Sequence, residues 1–334
     1  MTDLLGFPFM QRALLAALLT GLIAPAIGVY IVQRRLSLLG DGLGHVAIAG
    51  VGLALLTGSA PVPVAVVVCV LGAVVVELLR QLGKATGDVG LAILFYGGLA
   101  AGVLMSGIAG GGAGALSQYL FGSLTTVTGA DLRLVAVLAV VVLVPTLGLS
   151  PQLFAVCTDE QHARTLGLPV RFYNVLIVVL AAITVSLAMR TVGLLLVSAL
   201  MVVPVAAAQN LVRGFYATLA CSMAVGVVVA VGGAAGSFYA DTAPGALIVV
   251  LAIAVFALSW PVSVLLRRRH GVAPELPVEP AGALEPGPHV VAEDTHRHRH
   301  DDGCGHRALV HGDHTDYVHE GHRHAPHADH YDEH

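Results

Sequence analysis

Long apolar runs separated by short polar segments make up the first 266 residues of the chain. A helix needs roughly 20 apolar residues to cross a hydrocarbon core about 30 Å thick, and the runs have about that length. The pattern predicts about nine membrane-spanning helices, near residues 12–32, 42–57, 62–82, 88–108, 131–149, 172–189, 193–211, 215–235 and 244–266. A broken or re-entrant segment around Arg190 would reduce the count to eight.

Composition supports the same class of protein. Hydrophobic residues make up 56% of the chain and charged residues 11%, with a mean hydropathy of +0.83, whereas soluble domains carry about 25% charged residues. We therefore predict an all-α polytopic membrane protein. Nucleic acid is not an expected partner, because no basic face with interleaved aromatic residues is present. The four cysteines form no CxxC pair, so neither a disulfide framework nor a thiolate zinc site is predicted.

Basic residues orient the predicted helices. They fall on one side of the predicted spans, and cytoplasmic loops carry an excess of Lys and Arg. These residues are Arg34, Arg35, Arg80, Lys84, Arg164, Arg171, Arg213 and Arg267 to Arg269. We expect a multi-pass protein of the cell membrane, with its N-terminus outside and its C-terminus in the cytoplasm. No basic region precedes the first apolar run, so this run is interpreted as a spanning helix and not as a cleaved signal.

The end of the chain differs from the body, and we divide the sequence into a transmembrane domain at 1–266, a Pro-rich linker at 267–288 and a tail at 289–334. The tail holds 13 of the 16 histidines. It is predicted to be disordered, because it has little apolar surface to bury and so cannot offset its ordering entropy. Imidazole suits zinc, copper and nickel. Candidate ligands in the tail are His296, His298, His300, Cys304, His306, His322 and His324. Either the tail captures or buffers zinc, or it is a dispensable extension.

Asp41 and His45 are the strongest candidates for a metal pathway within the body. They lie four residues apart, so a helix places them on one face, and His45 is the one histidine inside a predicted span. Ionisable groups at membrane depth cost roughly 2.5 to 3.5 kcal/mol and commonly mark an ion path. The structural alternative is that Asp41 caps the helix and His45 bonds a neighbouring helix.

A short helix is predicted in the loop between Ser150 and Arg171. Thr158 can act as its N-cap, Asp159 and Glu160 suit the positive end of the helix dipole, and Gly167 with the following Pro169 ends it. The pattern indicates an amphipathic helix over 158–168 on the cytoplasmic side. An ordinary connecting helix fits the pattern as well.

Several segments together resemble the permeases of metal-uptake ABC transporters, the ZnuB-like importers of zinc, manganese and iron. The resemblance covers nearly all of residues 10–266 in the expected order. It rests on 34–50 (RRLSLLGDGLGHVAIAG), 119–125 (YLFGSLT), 159–167 (DEQHARTLG), 192–208 (VGLLLVSALMVVPVAAA) and 241–245 (DTAPG). At Gly44 the chain departs from the serine usual in the family.

The resemblance implies a permease that works as a homodimer with an ABC ATPase subunit and an extracytoplasmic metal-binding protein. Helix 158–168 would be the coupling helix that docks on the ATPase, through Asp159, Glu160, Ala163, Leu166 and Gly167. The chain has no GxxxxGK[ST] phosphate loop, so we expect a transporter subunit and not an enzyme, with ATP hydrolysed by the partner. No covalently bound cofactor is expected.

The transported metal is expected to be Zn²⁺, since an imidazole-rich tail favours zinc over manganese, which prefers oxygen ligands. A manganese or iron permease of the same family is the alternative. A secondary metal carrier with a His-rich regulatory tail is a rival from another class, but its spans would need several His and Asp ligands near the midplane. A metal sensor tethered by its membrane part would not need nine spans.

Overall fold

The computed structural model describes residues 6–82, 87–110, 112–122, 128–191, 193–269, 290–291, 305–311, 314–319, 322–327 and 330–333. The chain divides into two compact units, Met1–His270 and Gly271–His334. The first is helical. Its elements are α1 (Pro8–Gln33), α2 (Leu39–Thr57), α3 (Pro61–Gln81), α4 (Gly87–Ile108), α5 (Gly112–Phe121), α6 (Gly129–Gly148), α7 (Ser150–Thr158), α8 (Glu160–Thr165), α9 (Val170–Thr191), α10 (Leu194–Leu211), α11 (Phe215–Ala240) and α12 (Pro244–Arg269).

Each of the nine predicted spans falls on a helix. Within the described ranges, eight helices are long and apolar enough to cross a membrane, and α10 contributes the shorter apolar stretch Val197–Leu211. Helices α9 and α10 are separate, and Gly193, which precedes α10, has a φ of +91° that favours glycine. The sequence analysis did not predict α5 or α7, because they are too short to give a spanning signal.

Three helices form the centre of the helical unit. The most apolar windows of α1, α2 and α9 are 72%, 78% and 72% buried, whereas those of α3, α4, α6 and α12 are 22–28% buried. The outer helices expose large apolar side chains, and on α3 Val67, Leu71 and Val75 recur at four-residue spacing. Such a stripe suits contact with lipid, so the centre of the unit is the part shielded from the bilayer.

Helix α2 approaches its neighbours through glycines. A Cβ added at Gly50 would lie 2.5 Å from the Ala65 Cα, and one at Gly52 would lie 2.6 Å from the carbonyl oxygen of Gly102. On α4, a Cβ at Gly98 would lie 2.6 Å from the backbone of His45. Small residues allow this backbone contact in lipid, where no hydrophobic force acts between helices. They hold α2 firmly between α3 and α4.

The described parts of the second unit form strands, whereas the sequence analysis predicted no regular structure over 289–334. The strands are β1 (Val290–Val291), β2 (Arg307–His311), β3 (His314–His319), β4 (His322–His327) and β5 (His330–Glu333), in the antiparallel order β1-β5-β4-β3-β2. Successive strands from β2 to β5 are separated in the sequence by two residues, most of which are Gly or Asp. This spacing and composition predict β-hairpins. Of the predicted linker at 267–288, residues 267–269 belong to α12 and residues 270–288 lie outside the described residues.

Candidate functional site

The His45 side chain is held in one orientation within α2. Its Nδ1 lies 2.7 Å from the Asp41 carbonyl oxygen, and its ring centroid lies 3.9 Å from that of Phe95 on α4. A carbonyl oxygen only accepts, so Nδ1 donates in this contact, and in the neutral imidazole Nε2 is then the nitrogen with the lone pair. Ligating histidines commonly donate their other ring N–H in this way. His45 is therefore prepared to offer Nε2 to a cation.

Asp41 lies in the first turn of α2, whose N-cap position is occupied by Leu38 without a side-chain cap. The predicted cap by Asp41 is therefore not formed, and Asp41 lies in the first turn, where the helix dipole stabilises a carboxylate. Its side chain is partly exposed, in contrast to the 7% exposure of His45. The two residues thus offer one carboxylate and one imidazole on one face of a buried helix.

Gly44 lies between these residues at the contact with α10. A Cβ at this position would lie 3.0 Å from the Leu194 Cγ. A side chain at Gly44 would therefore require Leu194 to shift by a few tenths of an ångström.

The predicted loop helix is present but shorter than expected, because Thr158 ends α7 and does not cap α8. The Thr158 hydroxyl donates to the Phe154 carbonyl, as is common for a threonine within a helix. Asp159 is the N-cap, and its Oδ1 accepts the backbone N–H groups of Gln161 and His162 at 2.8 and 2.9 Å. These hydrogen bonds, led by that from His162, lower the pKa of Asp159.

Glu160 ties α8 to the spanning helices. Its Oε1 accepts from the Arg34 Nη2 at 3.2 Å and from the Asn174 Nδ2 at 3.0 Å, and the Arg80 Nη2 lies 3.9 Å away. Its Oε2 accepts from Arg164 at 3.4 Å. The Glu160 carboxylate thus contacts a residue at the end of α1, one residue in α3 and one in α9, as well as Arg164 in its own helix. The sequence analysis assigned Arg34 and Arg80 only to topology.

A second carboxylate, that of Glu77, lies beside Arg80 in this group of charged residues. Glu77 is 3% exposed and receives two hydrogen bonds of 2.8 Å from Arg80, together with one of 2.9 Å from Gln81. The Glu160 network, as we name it, consists of Arg34, Glu77, Arg80, Glu160, Arg164 and Asn174. Charged hydrogen bonds of this kind are stronger than neutral ones and fix the geometry of the segments they join.

The remaining predicted coupling residues divide by exposure. Ala163 is fully buried against Val156 and Val170, so it anchors α8 and is not available to a partner. Leu166 is 61% exposed, and Gly167 follows it with a φ of +78°. The surface that α8 offers outward is therefore centred on Leu166 and on the exposed polar residues of the helix.

Two clefts flank Glu160. One of about 470 Å³ is lined by Arg34, Arg35, Arg80 and Cys157 among others, and one of about 700 Å³ by Arg80, Arg164 and Arg171 among others. The Arg34 side chain is 5% exposed, and its Nη1 is buried without a hydrogen-bond partner. Arginines outnumber carboxylates in both linings, so this end of the helical unit is suited to an acidic partner surface.

Four of the seven predicted tail ligands lie outside the described part of the chain. His296, His298, His300 and Cys304 lie outside the described residues, and His306 immediately precedes β2. His322 and His324 lie on one face of β4, since they are two residues apart. Among the described side chains, no group of three or more His, Cys, Asp or Glu residues could hold a metal ion.

Known proteins resemble this chain over the helical unit. Residues 6–263 match the ABC 3 transport family. The manganese transport system membrane protein MntC of Halalkalibacterium halodurans is 32% identical over 259 residues, which are 77% of this chain and 88% of that protein. The chelated iron transport system membrane protein YfeD of Yersinia pestis is 32% identical over 255 residues, which are 76% and 85% of the two chains.

A solved structure has the same fold. In the structure titled PsaBC from Streptococcus pneumoniae in complex with Fab, one chain aligns with a TM-score of 0.72 and 28% identity, covering 80% of this chain and 98% of that one. A relative of 26% identity is the high-affinity zinc uptake system membrane protein ZnuB of Haemophilus influenzae, aligned over 76% of this chain and 97% of its own length. The relatives thus include proteins named for manganese, iron and zinc.

Proposed function

Because this chain belongs to the ABC 3 transport family of metal-uptake permeases, we propose that it carries zinc through a cell membrane to the cytoplasm. The metal is its cargo, received from an extracytoplasmic binding protein. A partner ATPase drives the transport. Membership of this family argues against the secondary metal carrier that the sequence analysis gave as a rival.

The arrangement of His45 carries this proposal. Its Nδ1 contact of 2.7 Å with the Asp41 carbonyl leaves Nε2 as the free ligand nitrogen in a helix shielded from lipid. Borderline divalent ions accept imidazole and carboxylate ligands. Two ligands bind a divalent ion weakly, which suits a site that must also release its cargo.

Zinc is favoured over manganese and iron by the imidazole content of the chain. The pathway offers His45, and the tail holds 13 histidines. Manganese prefers oxygen ligands, and carboxylates are sparse in the described spanning helices. The tail, at 289–334, lies on the receiving side of the membrane in this proposal, since the basic residues of the loops orient the C-terminus inward.

Coupling is assigned to α8. Its outward surface, centred on Leu166, docks on the ATPase, and the Glu160 network transmits the movement to α1, α3 and α9. The ion pairs support this assignment because they join α8 to helices that flank or form the centre of the unit. A second copy of the chain completes the permease as a homodimer.

The metal is tested by uptake in cells that lack their own importers of zinc, manganese and iron. The protein is expressed with its ATPase and binding protein, and initial uptake of each radioactive metal is measured at equal membrane abundance. We expect uptake of zinc, with excess unlabelled zinc competing and excess manganese failing to compete. Preferential uptake of manganese or iron would keep the permease but overturn the zinc assignment.

A further inference from the structure

The smaller of the two clefts beside Glu160 has the lining of an anion site. Its volume is about 470 Å³. The lining includes Arg34 and Arg35 at the end of α1, Arg80 of α3, and Cys157 and Glu160 of α7 and α8. Three guanidinium groups therefore face this cleft together with one carboxylate, so positive charge prevails in it.

The Arg34 side chain has a donor that the protein does not satisfy. It is 5% exposed, and its Nη2 donates to the Glu160 carboxylate at 3.2 Å, but its Nη1 is buried and has no hydrogen-bond partner. Nearly all buried polar groups have a partner, and an unpaired donor on a charged group is especially costly. Burial, together with the nearby Arg80, lowers the pKa of Arg34. The guanidinium thus lacks an acceptor that a bound anion would supply.

The charges around the cleft do not balance. The arginines that line it or pair with its lining, among the described residues, are Arg34, Arg35, Arg80 and Arg164. Only two carboxylates, Glu77 and Glu160, form ion pairs with this group in the described part of the chain. Burial raises the pKa of the Cys157 thiol to about 12, so the thiol adds no charge at neutral pH. Two positive charges are left over, which suits a dianion better than a single carboxylate.

Arg35 reaches the same cleft from an unusual backbone conformation. Its φ is +57°, and the N–H of Leu36, the next residue, donates to the Ile31 carbonyl at 3.0 Å. Helices that end in this way usually have glycine at the left-handed position, because a side chain is strained there. Arg35 occupies that position, and its exposed side chain lines the cleft. The turn after α1 therefore brings a second guanidinium beside that of Arg34.

We propose that this cleft binds a phosphate group through Arg34, Arg35 and Arg80. Guanidinium forks bind phosphate oxygens through paired hydrogen bonds. A phosphate group carries about 1.5 to 2 negative charges at neutral pH, which matches the excess of arginine. The phosphate belongs either to the free inorganic ion or to a phospholipid headgroup, since basic clefts between spanning helices also bind headgroups. The site lies apart from the proposed metal pathway on α2.

Equilibrium dialysis of radioactive inorganic phosphate against the purified full-length protein tests the site. At about pH 8 the histidines of the tail are neutral and do not attract the anion. We expect saturable binding of one phosphate per chain, with excess sulfate competing and excess acetate failing to compete, because acetate has a single charge and two oxygens. Absence of saturable binding, or equal competition by acetate, would overturn the proposal.

Two variants and a matched control locate the bound ion. Arg35→Gln changes an exposed residue, so the fold should persist, and we expect phosphate to bind at least about 10-fold more weakly. Arg34→Lys keeps the charge but loses the guanidinium fork, so it should also weaken binding. The control is Arg171→Gln, since Arg171 is exposed and lines the neighbouring cleft of about 700 Å³. It should bind as the wild type does. Equal losses in Arg35→Gln and Arg171→Gln would show diffuse attraction by surface charge and overturn the site.

A short-chain phosphatidic acid, added below its micelle concentration, identifies the source of the phosphate group. If it displaces labelled phosphate at a far lower concentration than unlabelled phosphate does, the site takes a lipid headgroup, because the acyl chains then add to the contact. Displacement only at equal or higher concentration assigns the site to the free ion. Binding is measured without metal and without transport, so failure of this site leaves the import proposal standing.

Discussion

The Arg34 guanidinium lies 3.2 Å from the Glu160 carboxylate, although 126 residues separate them in the chain. This pair joins the end of α1, a central helix, to the short helix α8. The Arg34 side chain is 5% exposed and Glu160 is 34% exposed, so the contact is partly shielded from water. It gives α8 a direct mechanical connection to the centre of the permease.

Replacing Glu160 by Gln should therefore impair coupling. The change removes the charge that Arg34 and Arg80 face while preserving side-chain size, and we expect a loss of about 1–3 kcal/mol of stability, towards the lower end because Glu160 is one-third exposed. Metal uptake should fall more than the amount of protein in the membrane. Gln161→Ala, at an exposed neighbouring position, is the control and should retain uptake. Normal uptake in the Glu160→Gln variant would remove the network from the coupling path.

The outward surface of α8 is tested by Leu166→Asp. Leu166 is 61% exposed, so an aspartate there should leave the fold intact but weaken an apolar contact with the ATPase. We expect co-purification of the ATPase and metal-stimulated ATP hydrolysis to fall together. Leu82→Asp is the matched control, since Leu82 is 67% exposed and directly follows α3. Equal losses in both variants would show a general surface effect and not a docking contact.

Asp41 can be separated from ordinary helix capping by comparison with Asp131. Both carboxylates lie in the first turn of a spanning helix, and Asp131 also forms a capping box with Thr128. Replacing Asp131 by Asn should therefore destabilise the protein by about 1 kcal/mol, at least as much as Asp41→Asn does. Only Asp41→Asn should abolish zinc uptake. Thermal stability and zinc uptake are measured in parallel, and an uptake rate retained in Asp41→Asn would leave Asp41 only its interaction with the helix dipole.

Packing behind His45 should also control activity. A Cβ at Gly98 would lie 2.6 Å from the His45 backbone, whereas one at Gly97 would have no atom within 4 Å. Gly98→Ala must push α4 away from α2, at a cost of about 1–3 kcal/mol. We expect a lower thermal midpoint and reduced uptake, with Gly97→Ala close to the wild type. An unchanged midpoint in Gly98→Ala would contradict the close approach of the two helices.

Sequence reasoning succeeded where the physical signal is local and strong. Among the described residues, eight helices of spanning length follow from apolar length alone, and the placement of Asp41 and His45 on one helix follows from their spacing. The cap at Asp159 was displaced by one residue, because Thr158 and Asp159 are both good caps and only the extended backbone of Asp159 distinguishes them.

Long-range relationships were beyond the sequence. No local pattern indicates that Arg34 meets Glu160, that Ala163 is the buried residue of α8, or that Gly98 lies against His45. These contacts depend on how the helices are arranged.

The most direct test of the central claim is zinc uptake by the His45→Asn variant. Asparagine keeps a side-chain N–H near the position of Nδ1, so it can still donate to the Asp41 carbonyl, but it has no counterpart of Nε2. Initial uptake of radioactive zinc is measured at equal membrane abundance, with the ATPase and binding protein present. A ligand role for His45 predicts uptake at background level in this folded variant. Uptake at the wild-type rate would show that His45 only holds the helix in place and would contradict the pathway.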